Sequence, residues 1–143
     1  MVTDDPFDLA RFLAAQDAAG TYDRALAELR RGRKTSHWMW FVFPQLAGLG
    51  RSATSRRYAI SSLDEARAYL ADPLLGGRLR ECAAVVAAAR PGAEAIFGGV
   101  DAQKLQSSMT MFLRAAPDER VFAQVLERHF GGLPDARTDE LLS

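Results

Sequence analysis

Apolar residues recur along most of the chain at the three-and-four spacing of half-buried helices. Tyr22, Ala25, Leu26 and Leu29 form one stripe; Leu75, Leu79, Cys82 and Val86 form another. This rhythm predicts helices near residues 6–17, 21–31, 63–71, 73–89, 93–97, 101–116, 119–130 and 136–142. Residues that helix ends require mark the boundaries. Ser62 with Glu65 reads as a capping box, and Asp72 before Pro73 as an N-cap followed by a first-turn proline. Gly32, Arg90-Pro91-Gly92, Ala116-Pro117 and Gly131-Gly132 close the patterns, because proline cannot continue a helix and glycine accepts the left-handed cap. The expected fold is all-α, a compact multihelical domain spanning residues 1–143.

Residues 35–60 break the pattern. The run from Trp38 to Phe43 is apolar without a period, and Pro44, Gly48 and Gly50 follow it. Such a run suits a buried helical turn or a short strand, and Pro44 pushes Phe43 toward an extended backbone. An irregular, aromatic-rich segment is expected. At least one of Trp38 and Trp40 is expected in the core, where replacement by Ala costs roughly 3–5 kcal/mol.

A chain of 143 residues, 48% of them hydrophobic, buries a core without covalent staples. The single cysteine, Cys82, excludes an internal disulfide and suits a reducing, cytoplasmic setting. No apolar run approaches the roughly 18 residues of a spanning helix, and Asp4 and Asp5 do not suit a signal peptide. Eighteen basic and eighteen acidic residues cancel, so the charge excess that drives binding to nucleic acid is missing. Two histidines and one cysteine, far apart, offer neither metal-ligand spacing nor a Cys–His nucleophile pair. No cofactor is indicated.

Candidate chemistry concentrates in two places. His37 beside Trp38 and Trp40, with Gln45 following, combines an imidazole that moves protons near neutral pH with rings that stack a flat ligand. For the aromatics themselves, Trp38, Trp40, Phe41 and Phe43, the favoured reading is a central core plug. On the helix from Asp101, a wheel places Lys104 and Ser108 inside the apolar arc of Leu105, Met109 and Phe112, while Ser107 and Thr110 fall elsewhere. An inward lysine needs a partner, and Asp101 three residues earlier supplies one. These residues are expected to share a cleft: His37, Lys104 and Asp101 as candidate catalytic groups, Trp38, Trp40, Gln45 and Ser108 as ligand contacts. His129 lies within the arc of Val121, Val125 and Leu126 and reads as a core histidine bonded to a backbone carbonyl. The loop from Gly48 to Arg57 holds glycines, hydroxyls and arginines but matches no phosphate-loop motif, and reads as a solvated connection.

His37-Trp38-Met39-Trp40-Phe41-Val42-Phe43-Pro44-Gln45-Leu46 resembles a bacterial family of unknown function, number eighteen-ten. The resemblance runs nearly end to end. It includes Asp5-Pro6-Phe7-Asp8-Leu9 with Arg11-Phe12, Tyr58-Ala59-Ile60-Ser61-Ser62-Leu63 with Glu65-Ala66, and Ile96-Phe97-Gly98. It continues through Asp101, Lys104-Leu105 and Ser107-Ser108-Met109-Thr110 with Phe112 to Gly131-Gly132, Asp135 and Thr138. It implies a compact multihelical fold and transfers no catalytic residue. The label calpastatin-like, attached to some members, does not suit this chain. Calpastatin's inhibitory segments are disordered and poor in large apolar residues, whereas two tryptophans and eight phenylalanines stand here among capped helices. A shorter likeness, through Glu94, Phe97-Gly98 and Asp101, is to N-glycosidases associated with NAD and ADP-ribose.

Two functions follow as expectations. One is a protein or enzyme that takes a small ligand, such as a nucleotide or an ADP-ribose-like molecule, in a polar cleft beside residues 37–45. The other is a non-catalytic adaptor whose exposed helices meet a protein partner. Membrane and nucleic acid are not expected partners.

Overall fold

A computed structural model describes residues 4–143. The chain forms α1 (Ala10–Asp17), α2 (Thr21–Arg31), α3 (Met39–Val42), α4 (Ala53–Arg57), α5 (Leu63–Ala71), α6 (Pro73–Ala88), α7 (Ala93–Ala115), α8 (Arg120–Phe130) and α9 (Ala136–Leu142). A 3-10 turn, Ala18–Gly20, joins α1 to α2. The fold is all-α. Among the described residues, extended pairing is limited to one isolated parallel bridge, Leu46 with Ile60.

The predicted stripes are core faces: Tyr22, Ala25, Leu26 and Leu29 on α2 and Leu75, Leu79, Cys82 and Val86 on α6 are all buried. The predicted caps form as well. Ser62 Oγ accepts from Glu65 N, and Asp72 Oδ1 accepts from Leu74 N and Leu75 N. Glu65 completes its box one residue early, Oε1 accepting from Ser61 N while Oε2 accepts from Arg11 Nη2. Gly32 and Gly131 end α2 and α8 in the left-handed conformation.

One expectation needs correction. The first helix begins at Ala10, because the Asp5 carboxylate accepts from Leu9 N and Ala10 N and holds the preceding residues in turns. Residues 35–60 are largely irregular, as expected, with two short helical stretches. Met39–Val42 makes a buried helical turn, and Ser52 caps the short α4 through Ser55 N. Residues 93–97 and 101–116 are separate helical stretches as expected, since α7 is broken between them at the non-helical Gly98.

The C-terminal half of α7 is the axis of the fold. It packs against α5, α8 and α9, while α6 packs against α2, α5 and α8. Ser107, Ser108, Met109, Thr110, Met111 and Phe112 are consecutive and all buried. A helix covered on every side has no solvent face, so an apolar arc on a wheel cannot rank its positions.

Candidate functional site

The site is assembled where the loop after α2 meets α7. Its first anchor is Glu28, which is buried on the last full turn of α2. Glu28 Oε1 accepts from Thr35 N at 2.7 Å, Ser36 N at 3.0 Å and Trp38 Nε1 at 2.9 Å, and the Ser36 hydroxyl donates to Oε2. Burial pushes this carboxyl up, but the four hydrogen bonds from Ser36, Thr35 and Trp38 outweigh it and hold the pKa down at about 2. The ionised carboxylate thus folds the loop back and draws the Trp38 indole into the core.

The second anchor is the break in α7. Gly98 has φ +80° and ψ 165°, a backbone region essentially confined to glycine. Just before it, Ile96 O accepts from Lys34 N at 2.8 Å, tying the loop to α7; just after it comes Asp101. Asp101 Oδ2 lies 2.9 Å from Lys34 Nζ, and Oδ1 lies 3.4 Å from Lys104 Nζ. Each ammonium also sits over an indole, Lys34 at 5.1 Å from the Trp38 ring centre and Lys104 at 5.0 Å from that of Trp40. Lys34 donates further to Ser36 O at 2.6 Å. One carboxylate therefore serves two lysines.

Lys104 opens onto a pocket of about 260 Å³ whose wall also includes Gln45, Gln103, Ser107, Asp135 and Arg137, with Leu49 and Val100 as apolar flanks. Gln45 Nε2 donates to Ser107 Oγ at 2.5 Å, and Ser107 Oγ donates to Lys104 O at 3.0 Å. Asp135 Oδ2 is engaged in capping α9, accepting from Thr138 N at 3.0 Å and Thr138 Oγ1 at 2.6 Å. Arg137 makes no ion pair or side-chain hydrogen bond among the described residues.

A family model described as "Protein of unknown function (DUF1810)" matches residues 6–142. The chain belongs to that family. Among solved structures, it is similar to the crystal structure of a conserved hypothetical protein from Mycobacterium tuberculosis, with 52% identity, a TM-score of 0.93, and coverage of 96% of this chain and 98% of that one. No curated protein matches it.

The fold sorts the residues that mark DUF1810 into two groups. Many are occupied with structure. Asp5 caps α1. Arg11 donates to Phe7 O, Asp8 O, Arg57 O, Ala59 O and Glu65 Oε2. Thr110 Oγ1 accepts from Asp135 N at 2.8 Å, pinning α9 to α7. Others meet at the pocket: Gln45, Lys104 and Ser107 line it, with Asp101 and Trp40 behind Lys104.

The structure brings only part of the sequence-predicted site together. Asp101, Lys104 and Trp40 adjoin, and Gln45 shares the pocket wall with Lys104. Trp38 is 0% exposed, so its ring serves as core and is closed to a ligand. Ser108 is also 0% exposed and outside the pocket wall; its Oγ is buried without a hydrogen-bond partner, and the neighbouring Ser107 takes the pocket position. His37 is exposed, lies outside the pocket wall and makes no side-chain hydrogen bond among the described residues. Lys34 occupies the place beside Asp101 that the sequence suggested for His37. His129 Nε2 lies 2.7 Å from Val86 O, the backbone contact expected, although the residue is half-buried and outside the core.

Sequence reasoning missed Glu28, Lys34, Asp135 and Arg137. Glu28 had a faint signal, a carboxylate beside the Ala25–Leu29 stripe. Lys34 had none, since it closes a basic run that resembles helix-end decoration.

Proposed function

We propose that the chain binds a compact anionic small molecule in the pocket walled by Lys104, Gln45, Gln103, Ser107 and Arg137. The observation that carries this reading is Lys104. Its ammonium is fixed at the pocket wall by Asp101 and the Trp40 ring, so a ligand anion meets an ordered cation and little ordering cost remains. Arg137 adds a second cation with a planar fork suited to carboxylate or phosphate. Of these two cations, Lys104 is paired with Asp101 behind the wall, and Arg137 is without an ion pair among the described residues.

The amide groups refine the ligand class. Gln45 gives an N–H to Ser107, which leaves its carbonyl oxygen to accept from a hydroxyl or amine of the ligand. A hydroxy acid or a sugar phosphate meets both requirements. Size supports the same class, since about 260 Å³ falls below the roughly 300–1,000 Å³ of pockets that enclose drug-sized ligands. A nucleotide or ADP-ribose would fit only in part, and Lys104 already covers a face of Trp40 where a base would stack.

Thermal-shift measurements with hydroxy acids, sugar phosphates, AMP and ADP-ribose test this. A fitting anion at a hundredfold excess over its Kd adds about 2.7 kcal/mol of stability, seen as a raised melting temperature. The rise is absent in Lys104→Met and reduced in Gln45→Ala. A wild-type protein unmoved by any of these anions, or a Lys104→Met variant that responds equally, removes the proposal.

A further inference from the structure

The C-terminal ends of α2 and α6 lie side by side. A Cβ added at Gly32 would sit 3.1 Å from Pro91 Cγ, a measure of how closely the two ends approach. They enclose a cleft of about 450 Å³ with an apolar floor that includes Leu29, Val85 and Pro91, and with Arg30, Arg31 and Arg90 in its wall. It shares no wall residue with the Lys104 pocket.

Basic residues near helix C-termini ordinarily satisfy the last carbonyls. Here the backbone does that itself. Gly32 N donates to Leu29 O at 3.0 Å, and Arg33 N donates to Glu28 O at 3.1 Å. The Arg31 and Arg90 side chains make no ion pair or hydrogen bond among the described residues, and Arg30 has only Glu81 at 3.9 Å, with both side chains largely exposed. Arg128 Nη2 donates to Arg90 O, bringing a fourth guanidinium to the rim. No acidic residue lines the cleft. Arg31 and Arg90 therefore stand beside an apolar recess without an internal partner among the described residues, and Arg30 is only weakly paired.

We propose that this cleft docks an acidic segment of a protein partner. Its carboxylates pair with Arg30, Arg31 and Arg90, and an apolar side chain rests on Leu29, Val85 and Pro91. Arginine forks match carboxylates two hydrogen bonds at a time, and an apolar anchor in a charged rim is the usual anatomy of a binding hot spot. Nucleic acid fits less well, because no aromatic ring lines the cleft to stack a base and the whole chain has no net charge. A membrane fits less well too, because the apolar surface is recessed whereas lipid insertion needs it to protrude.

Fluorescence anisotropy of the full chain with a labelled peptide of alternating Glu and Leu tests the proposal. The wild type binds it saturably, and added salt weakens binding. Binding falls by at least about tenfold when Leu is replaced by Ser in the peptide, and likewise in the Arg31→Glu, Arg90→Glu double variant. The neutral pair Arg31→Ser, Arg90→Ser shows the same direction, with an unchanged melting temperature in each case. The proposal is overturned by no saturable binding to the wild type, by equal binding to the double variants, or by tighter binding of single-stranded DNA or anionic vesicles than of the peptide.

Discussion

Glu28 shows how one buried charge organises a loop that has no period of its own. Its carboxyl takes up a proton near pH 4.5 in the unfolded chain and only near pH 2 in the folded one. Because the folded value is the lower, the stabilisation is complete above about pH 4.5 and is lost as pH falls toward 2; it amounts to about 3 kcal/mol. Urea unfolding at neutral and acid pH should show that loss. Glu28→Gln, which keeps an accepting oxygen, should flatten this part of the pH profile at a cost of about 1–2 kcal/mol at neutral pH. Glu28→Ala strands four donors and should cost about 3–5 kcal/mol. The two lysines on Asp101 differ in the same terms. Lys104→Met leaves Asp101 its shorter bond to Lys34, so stability should change by less than about 1 kcal/mol. Lys34 is 9% exposed and also serves Ser36 O and Trp38, so Lys34→Met should cost about 2–3 kcal/mol. Equal melting temperatures for the two variants would contradict this assignment of roles. Sequence revealed the Asp101–Lys104 pair because both lie on one helix, three residues apart. It could not reveal Lys34, whose partner is distant in the chain.

At the scale of elements, α5 and α6 approach so closely that Gly76 is required. A Cβ there would lie 2.2 Å from Leu70 O, backbone that cannot move aside, whereas one at the neighbouring Gly77 meets nothing within 4 Å. Gly77→Ala should therefore raise stability by roughly 0.5–1 kcal/mol through helix propensity, while Gly76→Ala should lower it by more than about 2 kcal/mol. Denaturant midpoints of the two variants on opposite sides of the wild type check this; midpoints moving together would not fit. Helix boundaries were legible wherever a cap or a left-handed glycine ended a period, as at Ser62, Asp72, Gly32 and Gly131. They were obscured where the deciding contact was tertiary. The Leu46–Ile60 bridge joins segments with no shared pattern, and the buried turn at Met39–Val42 is too short for periodicity to distinguish it from a strand.

At the scale of the whole molecule, class and burial were readable because they depend on summed apolar content and spacing, while the site was only half readable because it depends on which loops return to which helices. The wheel placed Lys104 near a cleft but ranked Ser108 over Ser107, since residues 107–112 of α7 are all buried. That enclosure makes one further prediction about DUF1810 cooperativity. Phe12 on α1, Tyr69 on α5, Phe112 on α7 and Phe122 on α8 form a chain of ring contacts with centres 5.1, 5.5 and 5.7 Å apart. A second set joins Trp38 to Phe43 and Phe97 at 6.3 Å each. Both sets belong to one buried cluster, so none of α1, α5, α7 and α8 can leave without exposing its neighbours' apolar faces to water. Unfolding should therefore be a single transition, with far-UV circular dichroism and tryptophan fluorescence coincident in denaturant. Phe112→Ala, at the centre of the ring chain, should destabilise by about 3–5 kcal/mol and move both probes together. A tryptophan signal that is lost while helix remains, or a Phe112→Ala transition that splits in two, would show that α7 does not couple the two halves of the core.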